Sequence, residues 1–250
     1  MAAVKRKTLH DYFAQEEASS PKKVHSAQTA SSAPSAPLEK LLHIPKGLSI
    51  IDQFVSPEEE ATILSFLDTQ EWRTDLSRRT IHFGGTYCVM APKDSSPQTK
   101  KQIEQTIITA AKMPVELHFL VQRMVDRDLY KDEARPEYCI VNEYTPGLGI
   151  SAHVENFRFG EPVCSLTLAG SDEMRFHQLE EAHDGSVRSG KAASAPRTGR
   201  RQDVAMARRS LLVLRGEARY SWQHEIVRGR TRTRPPGWKR VSLTFRVQGG

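Results

Sequence analysis

The sequence predicts a mainly β domain with flanking helices (α+β), folded as a double-stranded β-helix or jelly roll behind a disordered N-terminal tail. Three observations carry this expectation. From Tyr138 onward, short β-rich runs recur at Tyr138–Tyr144, Val163–Leu168, Ser210–Leu214, Arg219–His224 and Arg240–Val247, punctuated by Pro-Gly and Gly-Glu turns. Ahead of them, apolar residues repeat at helical spacing, as helices packed outside such a roll require. From Ala14 to Pro37 the chain is dominated by Ser, Ala, Pro and charged residues, which bury too little apolar surface to offset the entropy of ordering. The tail is therefore placed at residues 1–40 and the folded domain at 41–250.

Gly47-Leu48-Ser49-Ile50-Ile51 reads as the first strand. Ser56-Pro57-Glu58-Glu59 then opens a helix: a capping box, Pro at the first helical position, and acids against the positive helix end, with Ile63, Leu64 and Leu67 at helical spacing. A strand region follows from Ile81 to Met90. Ser96-Pro97 begins a second helix whose face carries Ile103, Ile107 and Ala110 or Ala111, and Leu117 to Val125 reads as a third. An insertion around 179–209, rich in Gly, Ser, Ala and Arg, reads as a solvated basic loop. It includes Arg188, Lys191, Arg197, Arg200, Arg201, Arg208 and Arg209, which suit contact with phosphate. Arg228, Arg230, Arg232 and Arg234 repeat the theme between two strands, so that both loops can flank one mouth of the roll.

Lys and Arg outnumber Asp and Glu by 36 to 30, a formal charge of +6 that favours polyanionic partners such as nucleic acid. Cys88, Cys139 and Cys164 are an odd number without CxxC spacing, which argues for buried thiols rather than a disulfide framework or a cysteine zinc site. No run is apolar and long enough to cross a bilayer, and Lys5, Arg6 and Lys7 have no apolar stretch behind them, so neither a membrane span nor a secretory signal is expected. The expected location is the nucleus, the cytoplasm or both. Within the tail, Arg6-Lys7-Thr8-Leu9-His10-Asp11-Tyr12-Phe13 sets one aliphatic residue three and four places before two aromatics. That spacing resembles the box that binds the sliding clamp PCNA through one helical turn, with Leu9, Tyr12 and Phe13 as the anchors; Arg6 stands where that box has a leading Gln.

The chemistry centres on His153-Val154-Glu155. Side chains two apart on a strand face the same way, so one strand delivers an imidazole and a carboxylate together. His224, ending the run from Arg219, is the natural third ligand. Two histidines and one carboxylate on one face of an octahedral metal leave three open positions, the geometry of iron(II) oxygenases, which suits a bidentate oxo-acid and dioxygen. In Arg240-Val241-Ser242-Leu243-Thr244-Phe245-Arg246, polar and apolar residues alternate, placing Arg240, Ser242, Thr244 and Arg246 on the face that would line the roll's interior.

Taken together, Asn142-Glu143-Tyr144-Thr145-Pro146-Gly147, the HxE pair, Ser165-Leu166-Thr167-Leu168, Leu211 to Gly216 before the distal His, and the final RxSLTFR run resemble the AlkB-like Fe(II)/2-oxoglutarate-dependent dioxygenase family. The resemblance spans roughly residues 45 to 248. It implies iron(II) held by His153, Glu155 and His224. It also implies 2-oxoglutarate hydrogen-bonded by Asn142 and Tyr144, with Ser242 beside them and with Arg240 and Arg246 pairing its carboxylates, and O2 as the oxidant. A planar guanidinium suits a carboxylate because it offers two parallel charge-assisted bonds. Two departures stand out: most of the family has HxD where Glu155 adds a methylene, and Asn156-Phe157-Arg158-Phe159-Gly160 replaces the acids that follow the motif in DNA-repair members. Arg78 to Gly84 resembles the segment before the roll in members that act on transfer RNA or lesser-known substrates.

The activity so implied is oxidative demethylation of alkylated bases in nucleic acid, for DNA repair or RNA modification. A hydroxylase or demethylase of tRNA uridine or protein side chains, and an inactive nucleic-acid-binding module, are the alternatives. A base must leave its stack to reach such a site, and Trp72, Tyr87 and Phe157 are the aromatics considered for receiving it. Among the other histidines, His177 is the one expected nearest the site.

Overall fold

The computed structural model describes residues 44–88, 96–99, 107–181 and 195–249. The tail expected at 1–40, the clamp-binding box expected at 6–13 and the centre of the basic insertion lie outside the described residues. Among those described, no helix is long and apolar enough to cross a membrane.

Among the described residues, twelve strands form three antiparallel groups. The large sheet runs in the order β1 (Leu48–Ile51), β10 (Leu211–Leu214), β7 (Val163–Leu168), β12 (Arg240–Arg246), β5 (Tyr138–Tyr144), β2 (Arg79–Phe83). Facing it, the small sheet runs β6 (Ile150–His153), β11 (Trp222–Ile226), β8 (Asp172–Leu179), β9 (Arg197–Met206). β3 (Thr86–Cys88) and β4 (Ile107–Thr109) pair with each other alone. Among the described residues the helices include α1 (Pro57–Asp68), α2 (His118–Asp126) and two short turns, α3 (Gly216–Tyr220) and α4 (Arg228–Thr231), and residues 97–99 are helical, where the second helix is expected.

Strand alternation sorts the large sheet into two faces. Cys164, Leu166 and Leu168 of β7, Leu211 and Val213 of β10, and Val241, Leu243 and Phe245 of β12 join one buried cluster with Ile63 and Leu67 of α1 and Leu120, Val121 and Met124 of α2. Their neighbours in sequence point the other way. Val163, Leu212, Leu214 and Tyr144 meet Met174, Phe176, Val204, Met206, Trp222 and Ile226 of the small sheet in a second cluster between the sheets. This is the jelly roll that the β-rich runs predict, with helices on its outside. Cys139 and Cys164 are buried free thiols, as expected.

Three expectations are corrected. The Arg-rich stretch 197–206, expected inside the 179–209 loop, is strand β9, paired with β8 from Arg197 opposite Leu179 to Met206 opposite Asp172. It is an edge strand whose first half is exposed on both faces, so only Val204 and Met206 carry an inward pattern that periodicity can detect. Ile107, expected on a helix, lies in β4, where three consecutive β-branched residues favour extended backbone. The run from Arg219, expected to be all strand, begins as α3 after Gly216 turns the chain with a φ of +47°, and β11 starts only at Trp222.

The start of α1 ties the helix layer to the rest. Ser56 Oγ accepts from the Glu59 amide, and Glu59 Oε2 accepts from the Ser56 amide, the reciprocal capping box. Glu59 also accepts two bonds from Arg123 of α2, at 2.8 and 2.6 Å, and Arg123 in turn donates to the Phe54 carbonyl. Those Arg123 bonds, opposed by burial and helped by the Ser56 amide, hold the Glu59 carboxyl down to about 2. Its folded value lies below the ordinary 4.5, so the stability it contributes is complete above about 4.5 and drains away as pH falls toward 2. Glu59→Gln should cost about 1 kcal/mol in urea denaturation at neutral pH, and the gap to wild type should close on acidification. A gap that stays constant down to pH 2 contradicts this account.

Candidate metal centre

β6 and β11 are antiparallel neighbours, and their register sets His224 directly opposite His153. That pairing is why two imidazoles 71 residues apart meet: the ring centroids lie 4.4 Å from each other. β6 ends at His153, and Glu155 reaches the same point from just beyond it. Its Oε1 lies 3.5 Å from His224 Nε2 and 4.0 Å from His153 Nε2, and one donor atom from each of the three residues falls within 4.8 Å of the others. Donors bound at ~2.1 Å to one ion sit ~3 Å apart at right angles, so side-chain rotations of under ~1 Å bring this set around a metal.

The protonation states suit that task. His153 Nδ1 lies 2.8 Å from the Ser151 carbonyl, which can only accept, so Nδ1 carries the proton and the Nε2 lone pair faces Glu155 and His224. Burial, with the neighbouring His224 adding to it, lowers the His153 pKa to about 4, leaving a neutral ring at neutral pH. Burial would by itself raise the Glu155 carboxyl. The charge of Arg246 and the hydrogen bonds to it outweigh that effect and hold the carboxyl well below the usual carboxylate range. Two imidazoles and one carboxylate are the donor set that iron(II) takes in this geometry, so the residues present fit the metal.

Arg246 makes a two-pronged pair with Glu155, Nε to Oε2 at 2.7 Å and Nη2 to Oε1 at 3.0 Å, with both side chains buried. Two of its donor nitrogens are thus spent on the candidate metal ligand, and Nη1 reaches only the Thr244 carbonyl at 3.4 Å. Arg240, on the same face of β12, is different. It is 1% exposed, its Nη2 touches Thr167 Oγ1 at 3.1 Å and Met206 Sδ at 3.4 Å, its guanidinium stacks 5.3 Å from the Tyr144 ring, and its Nε has no partner. No carboxylate hydrogen-bonds it among the described residues, and burial lowers its pKa. A buried guanidinium with donors to spare is a socket for an anion.

Asn142, Tyr144, Ser242, Arg240 and Arg246 all line one cavity of about 50 Å³ with His153, Glu155 and His224. The structure therefore brings together every site residue expected from the sequence. Asn142 Oδ1 already accepts from Arg78 Nε at 2.7 Å, a contact with no sequence signal. His177 is not in the cavity: its Nε2 meets Glu225 Oε1 at 2.8 Å, on the face of the small sheet opposite His224. Trp72 is committed elsewhere, its indole N–H donating to the Leu67 carbonyl and its ring lying under Arg79. The Tyr87 side chain lies outside the described residues. Phe157, two residues past Glu155, is 67% exposed. Arg219, which binds the loop after Glu155, was missed because its segment reads as strand.

The Glu155–Arg246 pair gives a direct test. Arg246→Leu leaves a buried carboxylate unpaired and should lower stability by about 3–5 kcal/mol, read by chemical denaturation of metal-free protein. An unchanged midpoint would show that Glu155 has another partner.

The match to known proteins follows the same boundaries. The model of the 2OG-Fe(II) oxygenase superfamily matches residues 47–246. Among relatives, an "Alkylated DNA repair protein ALKBH8 homolog" of Arabidopsis thaliana is 29% identical over 199 residues, 76% of this chain and 53% of that protein. A "tRNA (carboxymethyluridine(34)-5-O)-methyltransferase alkbh8" of Xenopus tropicalis is 28% identical over 73% of this chain and 25% of its own length. An "Alpha-ketoglutarate-dependent dioxygenase alkB homolog 4" of Mus musculus is 29% identical over 80% of this chain and 67% of its own. The chain thus spans about half of the plant relative and a quarter of the frog one. The solved structure of OsALKBH1 shares the fold, with a TM-score of 0.50 and 15% identity over 82% of this chain and 99% of that one. Fold and matched span agree, and the chain belongs to the 2OG-Fe(II) oxygenase superfamily as an AlkB-like 2-oxoglutarate-dependent dioxygenase, working with iron(II), 2-oxoglutarate and O2.

Proposed function

We propose that this dioxygenase removes alkyl groups from nucleic-acid bases, with iron held by His153, Glu155 and His224 and the oxo-acid anchored on Arg240. The observation that carries the site reading is the pairing of a two-His-one-carboxylate cluster with a fully buried arginine that has no carboxylate of its own. Arg240 is the socket for the remote carboxylate of 2-oxoglutarate. Tyr144 and Ser242 stand beside it, Asn142 is poised near them, and Arg246 keeps one nitrogen for the acid while it orients Glu155.

When bound, iron(II) with 2-oxoglutarate and dioxygen supplies oxidation of a substrate C–H to C–OH, coupled to loss of CO2 from the oxo-acid and formation of succinate. On an N-methyl group, the resulting hydroxymethyl amine sheds formaldehyde and restores the N–H. The chain's own residues do the positioning. His153 offers a neutral lone pair because its Nδ1 proton is engaged by Ser151. Arg240, stripped of water inside the roll, binds a carboxylate far more strongly than an exposed guanidinium would.

Support for a nucleic-acid substrate comes from charge and from an exposed ring. The basic edge of the small sheet, with Arg197, Arg200 and Arg201 in the exposed half of β9, lies next to the Arg175–Asp203–Arg230 network, while α4 adds Arg228. Such an array suits a phosphate backbone. Phe157 presents an exposed π-face on the loop that continues from the candidate metal ligand. Relatives named for alkylated DNA repair and for tRNA methylation are in keeping with this reading.

Purified protein with iron(II), ascorbate and 2-oxoglutarate should release succinate and formaldehyde in equal amounts on methylated single-stranded DNA or RNA. Release only on protein or on unmethylated tRNA would overturn the substrate proposal. Arg240→Lys should raise KM for 2-oxoglutarate at least tenfold while leaving oligonucleotide binding intact; an unchanged KM removes Arg240 from the oxo-acid site. Phe157→Ala should raise KM for the oligonucleotide about 5- to 100-fold, the worth of one base–aromatic stack, without changing KM for 2-oxoglutarate. Equal KM values in wild type and variant would exclude Phe157 from base contact.

A further inference from the structure

The chain leaves β6 at His153 and crosses residues 154–159 with no helix or extended ladder to occupy its carbonyls. One side chain takes three of them. Arg219, on α3 and 1% exposed, donates from Nη1 to the Glu155 carbonyl at 3.0 Å and from Nη2 to the Asn156 and Phe159 carbonyls, both at 2.8 Å. Its guanidinium also stacks 4.7 Å from the Tyr220 ring. Among the described residues no carboxylate hydrogen-bonds it, so it is a buried cation whose hydrogen-bonding partners are carbonyls of one loop.

Burying such a charge is costly, and a purely structural clamp would be served as well by neutral donors. What sets this loop apart is that it carries Glu155. Glu155 has one more side-chain torsion than an aspartate, so the place of its carboxylate depends on where the backbone starts and where the head is held. Arg246, from β12, holds the head; Arg219, from α3, holds the carbonyl of the same residue. α3 is itself anchored, with the Gly216 amide donating to Glu161 Oε2 at 2.6 Å and the Ala218 amide donating to the Lys46 carbonyl.

We propose that Arg219 is a positioning residue of the metal site: by gripping the carbonyls of Glu155, Asn156 and Phe159 it fixes the backbone from which the Glu155 carboxylate reaches the two imidazoles, and it sets the loop that displays Phe157. This rests on the reading of His153, Glu155 and His224 as the metal ligands. Removing a group that orients a ligand weakens metal binding typically ten- to a hundredfold.

The test is anaerobic titration of the full chain with cobalt(II), followed by its visible absorption, beside thermal melts of the metal-free proteins. Wild type should bind one equivalent, and His224→Ala should bind at least tenfold more weakly. Arg219→Leu should weaken binding by about ten- to a hundredfold and shift the absorption bands, while Arg219→Lys, which can still reach some of the carbonyls, should recover part of the loss. Affinities are compared per folded molecule, from the melts. Weak binding by His224→Ala together with wild-type affinity and bands in the folded Arg219 variants overturns the role of Arg219 alone. Equal binding by wild type and His224→Ala overturns the ligand assignment and this inference with it. Should neither Arg219 variant fold, Arg219 is a stability residue and the proposal is wrong.

Discussion

A carboxylate buried between two sheets has to be neutralised where it stands, and the inner site is organised around that requirement at Glu155. Without Arg246 its charge would be expelled or protonated, because burial alone opposes ionisation. With Arg246 both oxygens are engaged, and one of them still faces His224 at 3.5 Å. The ion pair is no evidence of high stability, since such pairs rarely repay their desolvation. Its value lies in holding an ionised oxygen atom at a defined point beside two imidazoles.

The two-faced large sheet makes that burial possible. β12 spends Val241, Leu243 and Phe245 on the helix-backed cluster, which frees Arg240, Ser242, Thr244 and Arg246 to face inward. β5 does the same one strand over, with Cys139 and Val141 outward and Asn142 and Tyr144 inward, and the register sets Asn142 beside Ser242 and Tyr144 beside Arg240. The apolar free energy that holds the sheet is therefore gained on the far side, against α1 and α2. The near side can be polar without leaving the sheet unsupported. The two arginines on this inner face then differ by what meets them. Arg246 finds an internal carboxylate, and Arg240 finds a hydroxyl, a thioether and a ring, none of which neutralises it.

The parts of this arrangement that were legible in the sequence were those written as short-range pattern. Alternation in residues 240–246 and the Ser56 to Glu59 capping box are local patterns that appear in the structure as expected, and the two-residue spacing of His153-x-Glu155 does bring both heads together, although β6 stops at His153 and Glu155 arrives from beyond the strand. Illegible parts depend on what lies across a sheet or at an edge. β9 has too few inward apolar residues to show a strand period, and Arg219 reads as strand because a single positive-φ glycine converts its neighbourhood to a helical turn. Whether His177 or His224 faces the cavity turns on one residue of register: Phe176 sits opposite His224, and His177 sits opposite Gln223. The partner of Arg246 was equally hidden, because a guanidinium with no acid nearer in sequence than Glu225 gives no sign of which carboxylate it will meet.

Glutamate in place of the aspartate common in the family takes its meaning from these long-range contacts. A longer side chain carries its head farther from the backbone, which would blur its position if only the strand held it. Here β6 stops at His153, the backbone of Glu155 is held through its carbonyl by Arg219, and the head is held by Arg246. Both ends of the extra methylene are thus pinned by elements that the strand itself does not supply. An aspartate on this backbone would fall short by about one bond length, either of Arg246 or of the imidazoles, whereas the glutamate spans the gap and reaches both. The length of the side chain and the two arginines that frame it form one device, and the geometry of the metal-facing cluster is the product of all three.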